Sequence, residues 1–138
     1  MSLIRWARKK SPWIFHFNTG SCNGCDIELL AALTPKYDIE RMGIKLVGSP
    51  RHADILIVTG ILNDKTYEAF KRVYEQVPEP KYVIAVGSCA CGHGVFQGSY
   101  NTRGKLKDEV KVDMFIPGCP PRPEAIIDGI RKLLKKVE

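Results

Sequence analysis

The 138-residue sequence has no long apolar run, and its longest stretches, Ile55–Val58 and Tyr82–Val86, are far too short to cross a hydrocarbon layer. Any membrane association is therefore expected to come through partners. The N-terminus, Met1–Lys10, interleaves Leu3, Ile4 and Trp6 with basic residues, but no long apolar segment or small-residue cleavage site follows, and a twin-arginine pair is absent. A secretory signal is excluded on this reading. Internal repeats, low-complexity tracts and nucleic-acid motifs are missing as well. With three histidines, the chain has too few for a histidine-rich metal site, and no Ser–His–Asp arrangement can be assembled.

Composition is that of an ordinary globular chain, with 44% apolar and 26% charged residues, and the length suits one domain with its own core. Net charge is +6. Much of the excess is terminal, in Arg5, Arg8, Lys9 and Lys10 and again in Arg131, Lys132, Lys135 and Lys136, as expected of solvated ends. Residues 1–11 read as a basic N-terminal extension of a single domain spanning 1–138. No nucleic-acid partner is expected.

Apolar periodicity divides the chain into alternating strands and helices. Trp13–Phe17, Ile44–Val47, Ala53–Gly60, Lys81–Val86 and Val112–Ile116 read as strands. Asp26–Leu33, Asp64–Gln76 and Pro123–Lys136 read as helices, the last with Ile126, Ile127, Ile130, Leu133 and Leu134 on one face. That alternation predicts an α/β domain with a doubly wound parallel sheet. The segment Gly87–Lys111 is rich in Gly, Ser and Asn, has little periodicity, and reads as a long functional or partner-covered loop.

Five cysteines are present, an odd number in a chain expected to stay in a reducing compartment, which favours metal or catalytic roles over disulfides. Four follow strand ends: Cys22 and Cys25 after the first strand, Cys89 after Tyr82–Val86, and Cys119 after Val112–Ile116. In an open parallel sheet the carboxyl ends of the strands share one side, so these thiols are predicted to meet there. A redox pair at Cys22 and Cys25 is a legitimate strand–CxxC–helix match, but it leaves Cys89 and Cys119 without a role. One metal centre uses all four. Structural zinc normally takes two compact knuckles and only the first pair here is compact; a [4Fe–4S] cluster takes one cysteine per iron and suits widely separated ligands.

The motifs Ser21-Cys-Asn-Gly-Cys-Asp-Ile-Glu28, Gly48-Ser-Pro-Arg-His-Ala-Asp54, Gly87-Ser-Cys89 and Pro117-Gly-Cys-Pro-Pro-Arg-Pro-Glu124 occur in order between Trp13 and Leu133. Together they resemble the small, proximal-cluster subunit of membrane-bound, energy-converting [NiFe] hydrogenases. They also resemble the homologous subunit of respiratory complex I that carries its terminal cluster. The resemblance implies a flavodoxin-like fold and one [4Fe–4S] cluster held by Cys22, Cys25, Cys89 and Cys119. It implies a one-electron relay that is not itself catalytic, lying between a [NiFe]-type large subunit and further clusters in a ferredoxin-like iron-sulfur subunit. Membrane-arm subunits would hold the assembly at the cytoplasmic side of the cell membrane. Complex I relatives typically carry adjacent cysteines at the first position, whereas this chain has C-x2-C, which tilts the resemblance toward hydrogenase. A complex I-like oxidoreductase of a quinone or a sulfur compound remains the alternative, and a stand-alone thiol–disulfide oxidoreductase the more distant one.

Other residues carry narrower expectations. Cys91 competes with Cys89 for one ligand place, and family position favours Cys89. Glu28 reads as a first-turn acid, and the resemblance adds a proton-transfer role for a partly buried carboxylate of raised pKa. Asp26 reads as a cap of the same helix. Arg122 is placed to offset cluster charge, Arg51 and His52 to lie at the opposite side, His16 to be a satisfied sheet histidine, and His93 to be a surface residue. Gly92, Gly94 and Gly98 lack the strand–turn–helix context of a phosphate cradle.

Overall fold

The computed structural model describes residues 2–137. Its centre is strand β3 (Ile55–Gly60), all six residues of which are buried, as a strand covered on both faces must be. Around it, β1 (Trp13–Gly20), β2 (Lys45–Leu46), β4 (Tyr82–Val86) and β5 (Met114–Ile116) complete one sheet in the order β2-β1-β3-β4-β5. Every pairing is parallel. The α/β, doubly wound expectation therefore holds.

Because side chains alternate across a strand, Ile55 and Ile57 serve one face and Leu56 and Val58 the other. On the first face Ile14, Ile57, Ile84, Val86 and Ile116 pack against Leu29 of α2 (Gly24–Leu33) and Ile126, Ile130 and Leu133 of α6 (Pro123–Lys136). On the second face Leu56, Val58, Val83 and Ala85 meet Phe70 of α3 (Asp64–Gln76), together with Ala90 and Leu106. Each fully buried Ile, Leu or Phe contributes about 1.5–3 kcal/mol of transfer free energy, so the two cores fix which face each helix covers.

Helices α3 and α6 have the predicted bounds because their starts are marked locally. Asn63 Oδ1 accepts from the Thr66 amide at 2.9 Å, and Pro123 opens α6 in its first turn. Elsewhere the structure departs from the expectation. The basic extension contains an eight-residue helix, α1 (Leu3–Lys10), with no buried residue; Arg8 ties it down through an ion pair to Asp54 at 3.0 Å. The second strand shrinks to two residues. The long connection is not a bare loop: it holds α4 (Ser88–Gly92), a 3-10 turn at Gly94–Phe96, and α5 (Leu106–Glu109), whose Leu106 joins the second core.

Candidate metal centre

The carboxyl ends of β1, β4 and β5 each lead into a tight turn, and each turn carries cysteine. After β1, Asn18 Oδ1 accepts from the amides of Gly20 and Ser21 at 2.9 and 2.8 Å, turning the chain into the Cys22 loop. Asn23 adopts a left-handed conformation (φ 78°) directly before α2, which places Cys25 in the first helical turn. The turns after β4 and β5 are clamped together: the Gly87 amide donates to Ile116 and the Ser88 amide to Gly118, both at 2.8 Å. Cys89 and Cys119 are thereby brought to the same rim of the sheet.

Small residues make room for the sulfurs. Gly87 sits at φ +92°, where a side chain would run into Cys25 Sγ, so glycine is required twice over. Gly24 lies beside Cys22 Sγ and Gly94 beside Cys89 Sγ, where a Cβ would make only ordinary contact at 3.6 and 3.5 Å, so Gly87 is the position at which the sulfur demands glycine. Cys25 is buried, Cys89 half-buried, and Cys22 and Cys119 are exposed, so one side of the site opens outward.

Two of the four thiols, Cys25 and Cys89, respond to their neighbours. Burial first, and then negative charge at Cys89, Cys22, Asp26 and Cys119, pushes the Cys25 thiol up to about 11. Cys89 is raised as well, by burial and then by Cys119 and Cys22. Soft sulfur donors converging without a cation suit a positively charged thiophilic group, whose binding reverses the cost of ionising them. Among the described residues, no three His, Cys, Asp or Glu side chains lie close enough to hold one metal ion.

Cys91 is turned elsewhere. Its Sγ lies 3.7 Å from the Ala85 carbonyl, and the side chain packs against the second core. Glu28 is half-buried on α2 and makes no hydrogen bond or ion pair with the described residues, between the exposed Ile27 and the buried Leu29. Arg122 occupies the N-cap position of α6 and is exposed. Arg51 and His52 are exposed on a 3-10 turn before β3, at the opposite rim, as expected.

Two expectations are corrected. His93 is not a surface residue: it is 9% exposed, left-handed (φ 68°), and its Nε2 is buried without a hydrogen-bond partner. Its amide closes the end of α4 by donating to the Cys89 carbonyl. Asp26 is not a helix cap, and α2 has no side-chain cap. It is 7% exposed and turned into the sheet, where Oδ1 accepts from Thr59 Oγ1 at 2.6 Å with His16 Nε2 3.0 Å away, while Oδ2 accepts from Asn18 Nδ2 at 2.5 Å. Sequence reasoning missed Asn18 and Thr59 altogether. The available signal was a polar residue within two positions of a glycine at the end of each of two largely apolar strands, Asn18 before Gly20 and Thr59 before Gly60.

The chain is similar to curated relatives and to solved structures. A probable membrane-bound hydrogenase subunit of Pyrococcus furiosus is 59% identical over 128 residues, covering 93% of this chain and 77% of that protein. An NADH-quinone oxidoreductase subunit of a Geobacter species is 45% identical over 136 residues, covering 99% and 78%. A chain in the structure of the membrane-bound sulfane sulfur reductase, an archaeal respiratory membrane complex, superposes with a TM-score of 0.88 at 44% identity, covering 99% of this chain and 75% of that one. Residues 22–133, from the first thiol of the rim to the last buried leucine of α6, match the family model described as NADH ubiquinone oxidoreductase, 20 Kd subunit, and the chain belongs to that family of oxidoreductase-complex subunits.

Proposed function

We propose that this chain is the electron-transfer subunit of a membrane-bound [NiFe] hydrogenase complex, with Cys22, Cys25, Cys89 and Cys119 holding one [4Fe–4S] cluster. The observation that carries the reading is the convergence of four thiols from three strand ends on one glycine-lined rim. When bound, such a cluster supplies one-electron storage at a potential set by its surroundings. The chain's own part is to fix the ligands, to exclude water on the Cys25 side, and to present the Cys22 and Cys119 side to a partner.

That partner is proposed to be a [NiFe]-type large subunit, with a ferredoxin-like iron-sulfur subunit and membrane-arm subunits completing the complex at the cytoplasmic side of the membrane. Exposed apolar residues support a docked rather than solitary chain: Ile27 and Leu30 on α2 are more than half exposed, and Val95, Phe96 and Tyr100 follow the Cys89 turn. No helix among the described residues is long and apolar enough to cross a membrane. Glu28, beside Ile27, is proposed to pass protons near that interface.

A complex I-like or sulfur-reducing assembly is the second reading, favoured by the similarity to the NADH-quinone oxidoreductase relative and to the sulfane sulfur reductase. The higher identity to the hydrogenase relative and the C-x2-C spacing favour the first. A stand-alone thiol–disulfide function is disfavoured because a Cys22–Cys25 pair leaves Cys89 and Cys119, which the clamped turns bring to the same rim, without a role.

The test is anaerobic purification of the complex through this chain. About four iron and four sulfide per chain are expected, with a nickel-containing large subunit and hydrogen turnover in the complex but none in the single chain. Stoichiometric zinc without sulfide would overturn the cluster, and a nickel-free partner reducing a quinone or sulfur compound would overturn the hydrogenase assignment.

A further inference from the structure

Resting on the cluster reading above, we propose that Asp26 is a positioning residue: a buried carboxylate that bolts the Cys22–Cys25 loop to the sheet and sets the electrostatic surroundings of whatever the thiols hold. Asp26 directly follows Cys25 and is nearly inaccessible to water. A carboxylate buried beside sulfur ligands is unfavourable by itself and needs compensating donors. Two are supplied from the sheet, Asn18 from β1 and Thr59 from β3, and His16 of β1 supports the Thr59 hydroxyl from 2.9 Å.

The network reaches both ligands of the loop. Asn18 gives its Nδ2 to Asp26 and takes the Gly20 and Ser21 amides on its Oδ1, so one side chain joins the residue after Cys25 to the backbone just before Cys22. His16 Nε2 lies 2.9 Å from Thr59 Oγ1 and 3.0 Å from Asp26 Oδ1, which ties the carboxylate across the β1–β3 pairing. The opening of α2 is thus fixed by a side chain that its own backbone does not need. A generic first-turn acid would face solvent, where the helix terminus alone favours it.

Two consequences separate this role from simple packing. Removing the charge while keeping the shape should make reduction of the cluster easier, because reduction adds negative charge beside Asp26. Removing the Asn18 bridge should loosen ligand geometry without changing charge. The experiment uses the full chain, reconstituted anaerobically and also assembled in its complex. Asp26→Asn, Asn18→Ala and the exposed α3 control Glu68→Gln are compared by iron and sulfide content, by redox titration followed by electron paramagnetic resonance, and by the rate of iron loss to a chelator.

Asp26→Asn is expected to retain its iron and to shift the reduction equilibrium about tenfold toward the reduced state, about 59 mV upward for a one-electron couple. Asn18→Ala is expected to lose iron to the chelator several-fold faster, with a smaller change of potential, and Glu68→Gln to match the wild type. An unchanged potential and resonance spectrum in a fully loaded Asp26→Asn protein would overturn the proposal. Should that variant fail to fold, Asn18→Ala decides: a chelation rate equal to wild type overturns it. A wild-type chain that assembles no cluster at all refutes the cluster reading instead, so the two failures are distinct.

Discussion

The two rims of the sheet are built on opposite principles. At the amino rim the polar groups satisfy one another: Asp54 takes Arg8 on one oxygen and the Trp13 amide on the other, both at 3.0 Å, and Asp113 accepts the Val83 amide at 2.9 Å. At the carboxyl rim the turns are equally well bonded through backbone, but the side chains they deliver are sulfurs, spaced by glycine and left facing one another. One rim is complete within the chain. The other gathers reactive side chains that the fold does not need for its own bonding, and that difference is the physical basis for proposing function there.

Four measurements would break or sharpen this contrast. The largest effect is expected at the ligands: Cys119→Ser should abolish most iron incorporation, whereas Cys91→Ser, whose thiol is turned toward Ala85, should keep it. Iron and sulfide per chain after anaerobic reconstitution decide the ranking, and the reverse order would reassign the ligands. Gly87→Ala comes next. Its Cβ would meet Cys25 Sγ at a backbone conformation that disfavours side chains, so a loss of about 2 kcal/mol or more is expected in denaturant unfolding, together with poorer cluster uptake.

At the amino rim, Asp54→Ala should cost about 1–2 kcal/mol by orphaning the Trp13 amide and Arg8, with iron content unchanged. A parallel loss of iron would mean the two rims are coupled. The smallest effect concerns His16. Burial lowers its pKa below the ordinary 6.5, and the opposing pull of Asp26 does not restore it. Below 6.5 the unfolded chain takes up a proton that the folded chain resists, so this contribution is intact above 6.5 and lost as pH falls. Wild type should therefore lose stability between about pH 7 and about pH 5 more steeply than His16→Gln, and parallel profiles would show that His16 does not carry it.

What the sequence disclosed follows from where the signals are local. Helix α3 was legible in full because a long amphipathic stretch lies in the segment itself, and the thiol rim was legible because strand ends and cysteines coincide. Helix α1 was not, since eight residues are too few to hold a helix without help and the help comes from Asp54, far along the chain. Asp26 misled for a related reason. Its place in the first turn of α2 suggests a terminus acid, yet the left-handed Asn23 turns the helix so that this carboxylate faces β1 and β3. His93, flanked by glycines, carried no sign that the closure of α4 would bury it.

The lateral strands of the sheet bear on the chain's life before assembly. Strand β2 has two residues and β5 three, so the sheet is flanked by its shortest members while the six residues of β3 are locked between neighbours. The outermost strands therefore carry little ladder of their own for a second copy to pair with, although β1 runs on past β2 from Phe15 to Gly20 with only its β3 side paired. A newly made subunit is thus guarded against strand-to-strand association at its two outermost strands, and the stretch of β1 beyond β2 is where such an association would have to begin.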